Sequence, residues 1–228
     1  MKIINFKNKL PLTYFAPNYN YFIIENNISD KININEILNH MLNREKELIK
    51  SDKSINTIND IKKATSINRY KFFNESIFNK KYMVQLINIL RENIFNYSKI
   101  LCEPIPKRLW IQMWCNILRK KQKIEIHQHS DSETSYLSGN LCLQANDTKT
   151  HYVNPQSYFA TFNPEYSSQN IKGNLTLFPS TLPHYTDRVE DKELRVTIAF
   201  DVLIAEDRKK LLWEEKKQEL FKNNIIEL

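Results

Sequence analysis

Residues 123–131 read KIEIHQHSD. Two imidazoles and a carboxylate, His127, His129 and Asp131, recur at every second position. On an extended chain alternate side chains share a face, so these three are expected on one side of a strand end, with Ile124 and Ile126 on the other. Imidazole nitrogens and a carboxylate oxygen are potential metal ligands; a polar edge facing solvent is the other reading of this stretch alone. Residues 173–184, GNLTLFPSTLPH, supply a second piece. A strand that opens at Gly173 and breaks at Pro179 and Pro183 delivers His184 at its loop-side end. The turn Asp187–Glu193 then leads into 194–200, LRVTIAF, where Arg195 and Thr197 share a face. A guanidinium there is costly to bury without an anion, and its planar fork fits a carboxylate bidentately.

The elements that must position these groups fall in the second half of the chain. Segments 108–118, 123–131, 136–144, 157–163, 174–179 and 194–204 are rich in Trp, Ile, Leu, Tyr, Phe and Val and are separated by polar turns. Short strands so spaced, without long helices between them, predict an antiparallel sandwich or barrel. The first hundred residues read mainly as helix. Ile34, Ile37, Leu38, Met41, Leu42, Leu48 and Ile49 form one 3.6-period stripe, with Ser29 and Asp30 as candidate caps. Met83, Leu86, Ile87, Leu90, Ile94 and Tyr97 form another, after Asn74 and Ser76. Residues 51–74 read as surface loop with short helices, and 206–223 as a closing helix. The expected organisation is α+β: a helical N-terminal region over 1–104, a β-core over 105–204 and a C-terminal helix over 205–228.

In this order and spacing the second half resembles the 2-oxoglutarate- and Fe(II)-dependent dioxygenase superfamily, most of all its small bacterial and phage-type members. The matching residues are Trp114 with Asn116, His127-Gln-His129-Ser-Asp131, Leu137-Ser138-Gly139, Gly173 through Phe178-Pro179-Ser180, His184, and Arg195-Val-Thr197-Ile-Ala-Phe200. The resemblance covers roughly 105–204. It implies a double-stranded β-helix (jelly-roll, cupin-like) core that holds one Fe(II) at its mouth, with O2 and 2-oxoglutarate as co-substrates. His129 and His184 are implied ligands, and the third is Asp131 or His127. Arg195, with Thr197, is implied to grip the distal carboxylate of 2-oxoglutarate, and Asn116 to contact the same molecule. The implied chemistry is hydroxylation of a substrate C–H bond with release of succinate and CO2. Asp131 as a ligand argues against halogenation. The alternatives are a cupin-type metalloenzyme, which has no need of Arg195, and a non-catalytic jelly-roll binding protein.

Other polar residues have ordinary structural readings. His40 lies off its helical stripe and reads as solvated, and His151 as a surface strand residue. Ser132, Ser135 and Ser138 read as turn chemistry. Trp110 and Trp114 alternate onto one face as core, and Cys142 is a small core residue.

Composition excludes much else. Only two glycines, Gly139 and Gly173, occur in 228 residues. Neither a dinucleotide fingerprint, a P-loop nor a hydrolase nucleophile elbow can be built from them. The net charge of +7 comes with a Lys-, Asn- and Ile-rich composition and scattered lysines, so nucleic acid is not an expected partner; a small molecule or peptide is. Three cysteines without metal-type spacing, and an opening MKIINFKNKL without an apolar run, predict a reduced, cytoplasmic setting with no membrane anchor. The sequence does not indicate an oligomeric state.

Overall fold

The computed structural model describes residues 1–7, 19–51, 69–129, 132–144, 147–155, 164–211 and 224–228. At its centre β3 (Leu109–Leu118) and β9 (Arg195–Ile204) pair antiparallel over their whole length, setting Asn116 beside Thr197 and Leu118 beside Arg195. On the far side of β9 lies β4 (Ser135–Gln144), followed by β7 (Asn174–Pro179), β2 (Asn20–Asn27) and β1 (Lys2–Lys7). β10 (Ile225–Glu227) closes the opposite edge against β3. A second sheet runs β6 (Glu165–Gln169), β5 (Lys149–Val153), β8 (His184–Thr186). The two sheets are the walls of a double-stranded β-helix, as expected.

Alternation along the central strands decides which face does what. Every residue of β3 is buried, the pattern of a strand covered on both sides. Leu109, Ile111, Met113, Cys115 and Ile117 join Val196, Ile198, Phe200 and Val202 of β9 in one apolar cluster with the helices. Those helices are α1 (Ile34–Ser51), the single turn α2 (Glu75–Phe78) and α3 (Lys81–Leu101), with a 3-10 turn at Arg69–Phe72 before them. Ile37, Met41, Leu86, Leu90 and Ile94 of the expected stripes supply the helical side of the cluster. The alternate residues of the same strands, Trp114, Asn116, Arg195, Thr197 and Ala199, line a cleft between the sheets.

Several local readings are corrected. The first hundred residues are not only helix: β1 and β2 extend the main sheet, β2 pairing with β7 from Ile24↔Leu177 to Asn27↔Asn174. Asn33, not Ser29 or Asp30, caps α1, its side chain accepting from the Glu36 amide at 3.3 Å; Ser29 is spent in a turn on Asn27. Residues 123–129 form no regular strand. Ile124 bonds to Thr186 and His127 to His184, so three steps on one side match two on the other. One extra residue of this kind works as a bulge and inverts the alternation. Ile124 therefore faces the cleft together with His127, and Ile126 is left 60% exposed. Gly139 lies within β4; a Cβ there would sit 2.4 Å from the Phe200 ring and 2.6 Å from the Thr176 carbonyl oxygen. Gly173 does open β7, at φ +80, a left-handed conformation that favours glycine.

His40 is half-buried against Tyr82 rather than solvated. His151 is buried too, with Nδ1 near Glu165 and Nε2 bonded to Asp187 at 2.8 Å. Of the expected closing helix, Arg208–Leu211 is a single helical turn, α4. Residues 212–223, the expected strand 157–163 and Asp131 lie outside the described residues. Among the described residues no helix is long and apolar enough to cross a membrane.

Candidate metal centre and anion pocket

Three histidines meet at the mouth of the cleft. The β8 segment presents His184, and the bulged segment beside it presents His127 and His129, joined by reciprocal His127–His184 backbone hydrogen bonds of 3.0 and 2.9 Å. The His129 amide donates to the Ser180 carbonyl at 2.8 Å, anchoring it to the end of β7. One ligand nitrogen from each of the three rings lies within 4.8 Å of the others.

The hydrogen bonds around the rings decide which nitrogen is presented. Nδ1 of His184 lies 3.0 Å from the Leu182 carbonyl, and Nδ1 of His127 lies 2.8 Å from the Glu125 carbonyl. Carbonyls only accept, so both Nδ1 atoms carry the proton. Nδ1 of His129 donates to Asp201 Oδ1 at 2.6 Å. Nε2 of His129 is buried without a hydrogen-bond partner. In each ring the lone pair is thus placed on Nε2 while Nδ1–H is held from behind, the arrangement of metal-ligating histidines. Burial, reinforced by the neighbouring His127 and His129, holds His184 well below the ordinary histidine range. The neutral imidazole is the form that can ligate. The donor set and the orphaned Nε2 fit a divalent iron.

Deeper in the cleft Arg195 is 2% exposed. Its Nη2 donates to Thr150 Oγ1 at 2.8 Å and to Asn170 Oδ1 at 3.2 Å, while Nε has no partner. Among the described residues it forms no ion pair. Burial pulls its pKa down to about 10, which leaves it charged at neutral pH. A buried guanidinium held only by neutral oxygens is an incomplete arrangement that an entering carboxylate would complete. Thr197 and Asn116 line the same cleft as neighbours across the β3–β9 pair.

Of the residues singled out from the sequence, His127, His129, His184, Arg195, Thr197 and Asn116 all line this cleft. Sequence reasoning missed three contributors. Thr150 and Asn170 support Arg195 from outside any recognised pattern. Asp201 was within reach, because the alternation Arg195, Thr197, Ala199 continues to it. Trp114 is buried as expected, and it also stacks on His129 with ring centroids 5.4 Å apart. Ser132 does serve a turn, through Thr134, but Ser138 does not: it is fully buried and donates to Asp201.

The chain is similar to known proteins over part of its length. Residues 112–201 match a family model described as "Putative 2OG-Fe(II) oxygenase". No curated protein matches the chain. Similar solved structures include a Pseudomonas putida prolyl-4-hydroxylase, with 12% identity, TM-score 0.44, and coverage of 56% of this chain and 69% of that one. Another is an oxidoreductase of the 2OG-Fe(II) oxygenase family from Burkholderia pseudomallei, with 14% identity, TM-score 0.42, and coverage of 53% and 56%. A third is the non-heme alpha-ketoglutarate-dependent carbocyclase SnoK from nogalamycin biosynthesis, with 12% identity, TM-score 0.37, and coverage of 43% and 51%. The chain thus spans about half the length of the carbocyclase. The matched segment runs from Gln112 in β3 to Asp201 in β9 and includes all three histidines, and over it the chain is similar to the 2OG-Fe(II) oxygenase family.

Proposed function

We propose that this protein is a 2-oxoglutarate-dependent hydroxylase acting on a small molecule or peptide. The observation that carries the reading is one cleft holding both a three-imidazole cluster and a buried, unneutralised guanidinium. A cupin-type enzyme would have no use for the latter. His129 and His184 would hold the iron. Their shared proximity to His127 supports His127 as the third ligand; Asp131 is the alternative, and iron retention in His127→Ala and Asp131→Ala separates the two. Residues 105–204 would form the catalytic core, with 1–104 and 205–228 packed around it.

Bound iron supplies the redox chemistry that couples decarboxylation of 2-oxoglutarate, giving succinate and CO2, to oxidation of a substrate C–H bond. The chain supplies the geometry. Arg195 binds the distal carboxylate by charge and fork geometry, and Thr197 beside it offers a hydroxyl. Asn116 lies next to Thr197, placed to contact the same molecule. Trp114 and Phe178, both buried in the lining, keep water from the ligand side. The fixed Nδ1–H tautomers keep three nitrogen lone pairs on one point without reorganisation.

The test is succinate formation from 2-oxoglutarate in air with and without Fe(II). Iron-dependent succinate formation that disappears in His184→Ala is expected. Metal-loaded, folded protein that never consumes 2-oxoglutarate would contradict the reading.

A further inference from the structure

Three residues of the matched segment, met above only as partners of His129 or of one another, have no part in the proposed function: Ser138 of β4, Ser180 after β7, and Asp201 near the end of β9. They meet behind His129. Asp201 Oδ1 accepts from His129 Nδ1–H and from the Ser138 hydroxyl, each at 2.6 Å. The Ser138 hydroxyl lies 3.1 Å from that of Ser180. Ser180 also accepts the His129 amide through its carbonyl at 2.8 Å. Ser138 and Ser180 are buried, and the side chains of His129 and Asp201 are only 12% and 16% exposed. One turn therefore fixes the main chain of His129, and the hydroxyls beside it align the carboxylate that fixes the ring.

We propose that Asp201 is a positioning residue for the metal centre, locking the His129 ring with Nε2 forward and lending it negative charge through Nδ1–H. The inference rests on the reading of His129 as a metal ligand. Imidazole ligands bring no negative charge to a cation, and Arg195 deeper in the same cleft adds positive charge. A divalent cation there gains from an anion held one hydrogen bond away. An aspartate accepting from Nδ1–H makes Nε2 a stronger donor, and loss of such a partner typically weakens metal affinity about 10–100-fold. Burial keeps this interaction from being screened by solvent. Ser138 fixes the carboxylate through its hydroxyl, and Ser180 in turn holds Ser138.

Cobalt(II) is a suitable probe, because its visible absorption bands report ligand field as well as occupancy. The full-length protein is titrated with Co(II) alone, alongside Asp201→Asn, Asp201→Ala and Ser138→Ala, with thermal melting of each metal-free variant. Asparagine keeps an oxygen able to accept both hydrogen bonds and removes only the charge. The expected result is a roughly 10-fold loss of affinity and a shifted band for Asp201→Asn, a loss nearer 100-fold for Asp201→Ala, and a few-fold loss for Ser138→Ala. If the parent protein binds no Co(II), the metal centre itself is wrong and the inference falls with it. If the parent binds and Asp201→Asn, melting like the parent, shows the same affinity and bands, the inference alone is overturned. Asp201→Asn decides the matter even if Asp201→Ala does not fold.

Discussion

The two faces of β9 are built from alternate residues of one strand, yet they solve opposite problems. Val196, Ile198, Phe200 and Val202 are all fully buried in the apolar cluster under the helices. Arg195 and Thr197 line the cleft and Asp201 lies on the same face of the strand; Arg195 is nearly as buried but among the described residues has only neutral partners. Burial of the first set stabilises the fold, by about 1.5–3 kcal/mol for each fully buried large apolar side chain. Burial of the guanidinium costs free energy that no ion pair among the described residues offsets. The difference teaches where function resides in this sheet: on the face whose residues the fold alone would not choose.

The comparison breaks or sharpens with variants on each face, compared by denaturation of the metal-free protein. Phe200→Ala on the helix face should cost about 3–5 kcal/mol, the largest stability loss expected. Equal stability would mean that the apolar face does not hold the sheet to the helices. Arg195→Met on the cleft face should leave the melting temperature unchanged or raise it, because a buried charge gives way to an apolar side chain of similar length. The same variant should bind 2-oxoglutarate at least about 30-fold more weakly, the equivalent of about 2 kcal/mol for truncating one side of a buried charge pair. A stability loss as large as that of Phe200→Ala would identify Arg195 as a structural residue and erase the contrast. Gly139→Ala tests the contact of β4 with the helix face. The added methyl meets the Phe200 ring and the Thr176 carbonyl, so a loss of about 1–3 kcal/mol is expected; wild-type stability would show that the ring gives way freely.

The smallest effect concerns the helical layer. Burial, then Lys80, holds His40 below the ordinary histidine value, with Glu47 opposing and Arg44 adding to the shift. Well above pH 6.5 neither the folded nor the unfolded chain protonates this group, and there it contributes no pH dependence. As pH falls through about 6.5 the unfolded chain takes up the proton first, so stability declines toward acid. His40→Leu should decline less steeply between pH 7 and 5; an unchanged slope would show that His40 protonates alike in both states.

Much of the site was legible because its residues sit where local rules apply. Arg195 and Thr197 obey strand alternation, and His184 follows a run that two prolines break. The helical stripes over 34–49 and 83–97 were readable because their buried faces repeat every 3.6 residues. The pairing of His127 and His129 was legible as composition but not as geometry. A bulge opposite β8 reverses the alternation at Ile124, and such an insertion leaves no mark in the sequence. β1 and β2 escaped notice because their partners are distant: β2 finds its place against β7, with Ile24 beside Leu177. His151 looked like a surface residue because the acids that enclose it, Glu165 and Asp187, come from two other strands or their ends. Asp201 lay one alternation beyond the residues the resemblance supplied.

The central claim is that one cleft holds both a metal on the histidine cluster and a dicarboxylate on Arg195. The most direct measurement is anaerobic addition of Fe(II) and then 2-oxoglutarate, watching for the weak visible charge-transfer band of the chelate. The account predicts a band that needs both components, saturates with 2-oxoglutarate, and requires a much higher 2-oxoglutarate concentration in Arg195→Met. Folded, iron-loaded protein that develops no band at any 2-oxoglutarate concentration would contradict it.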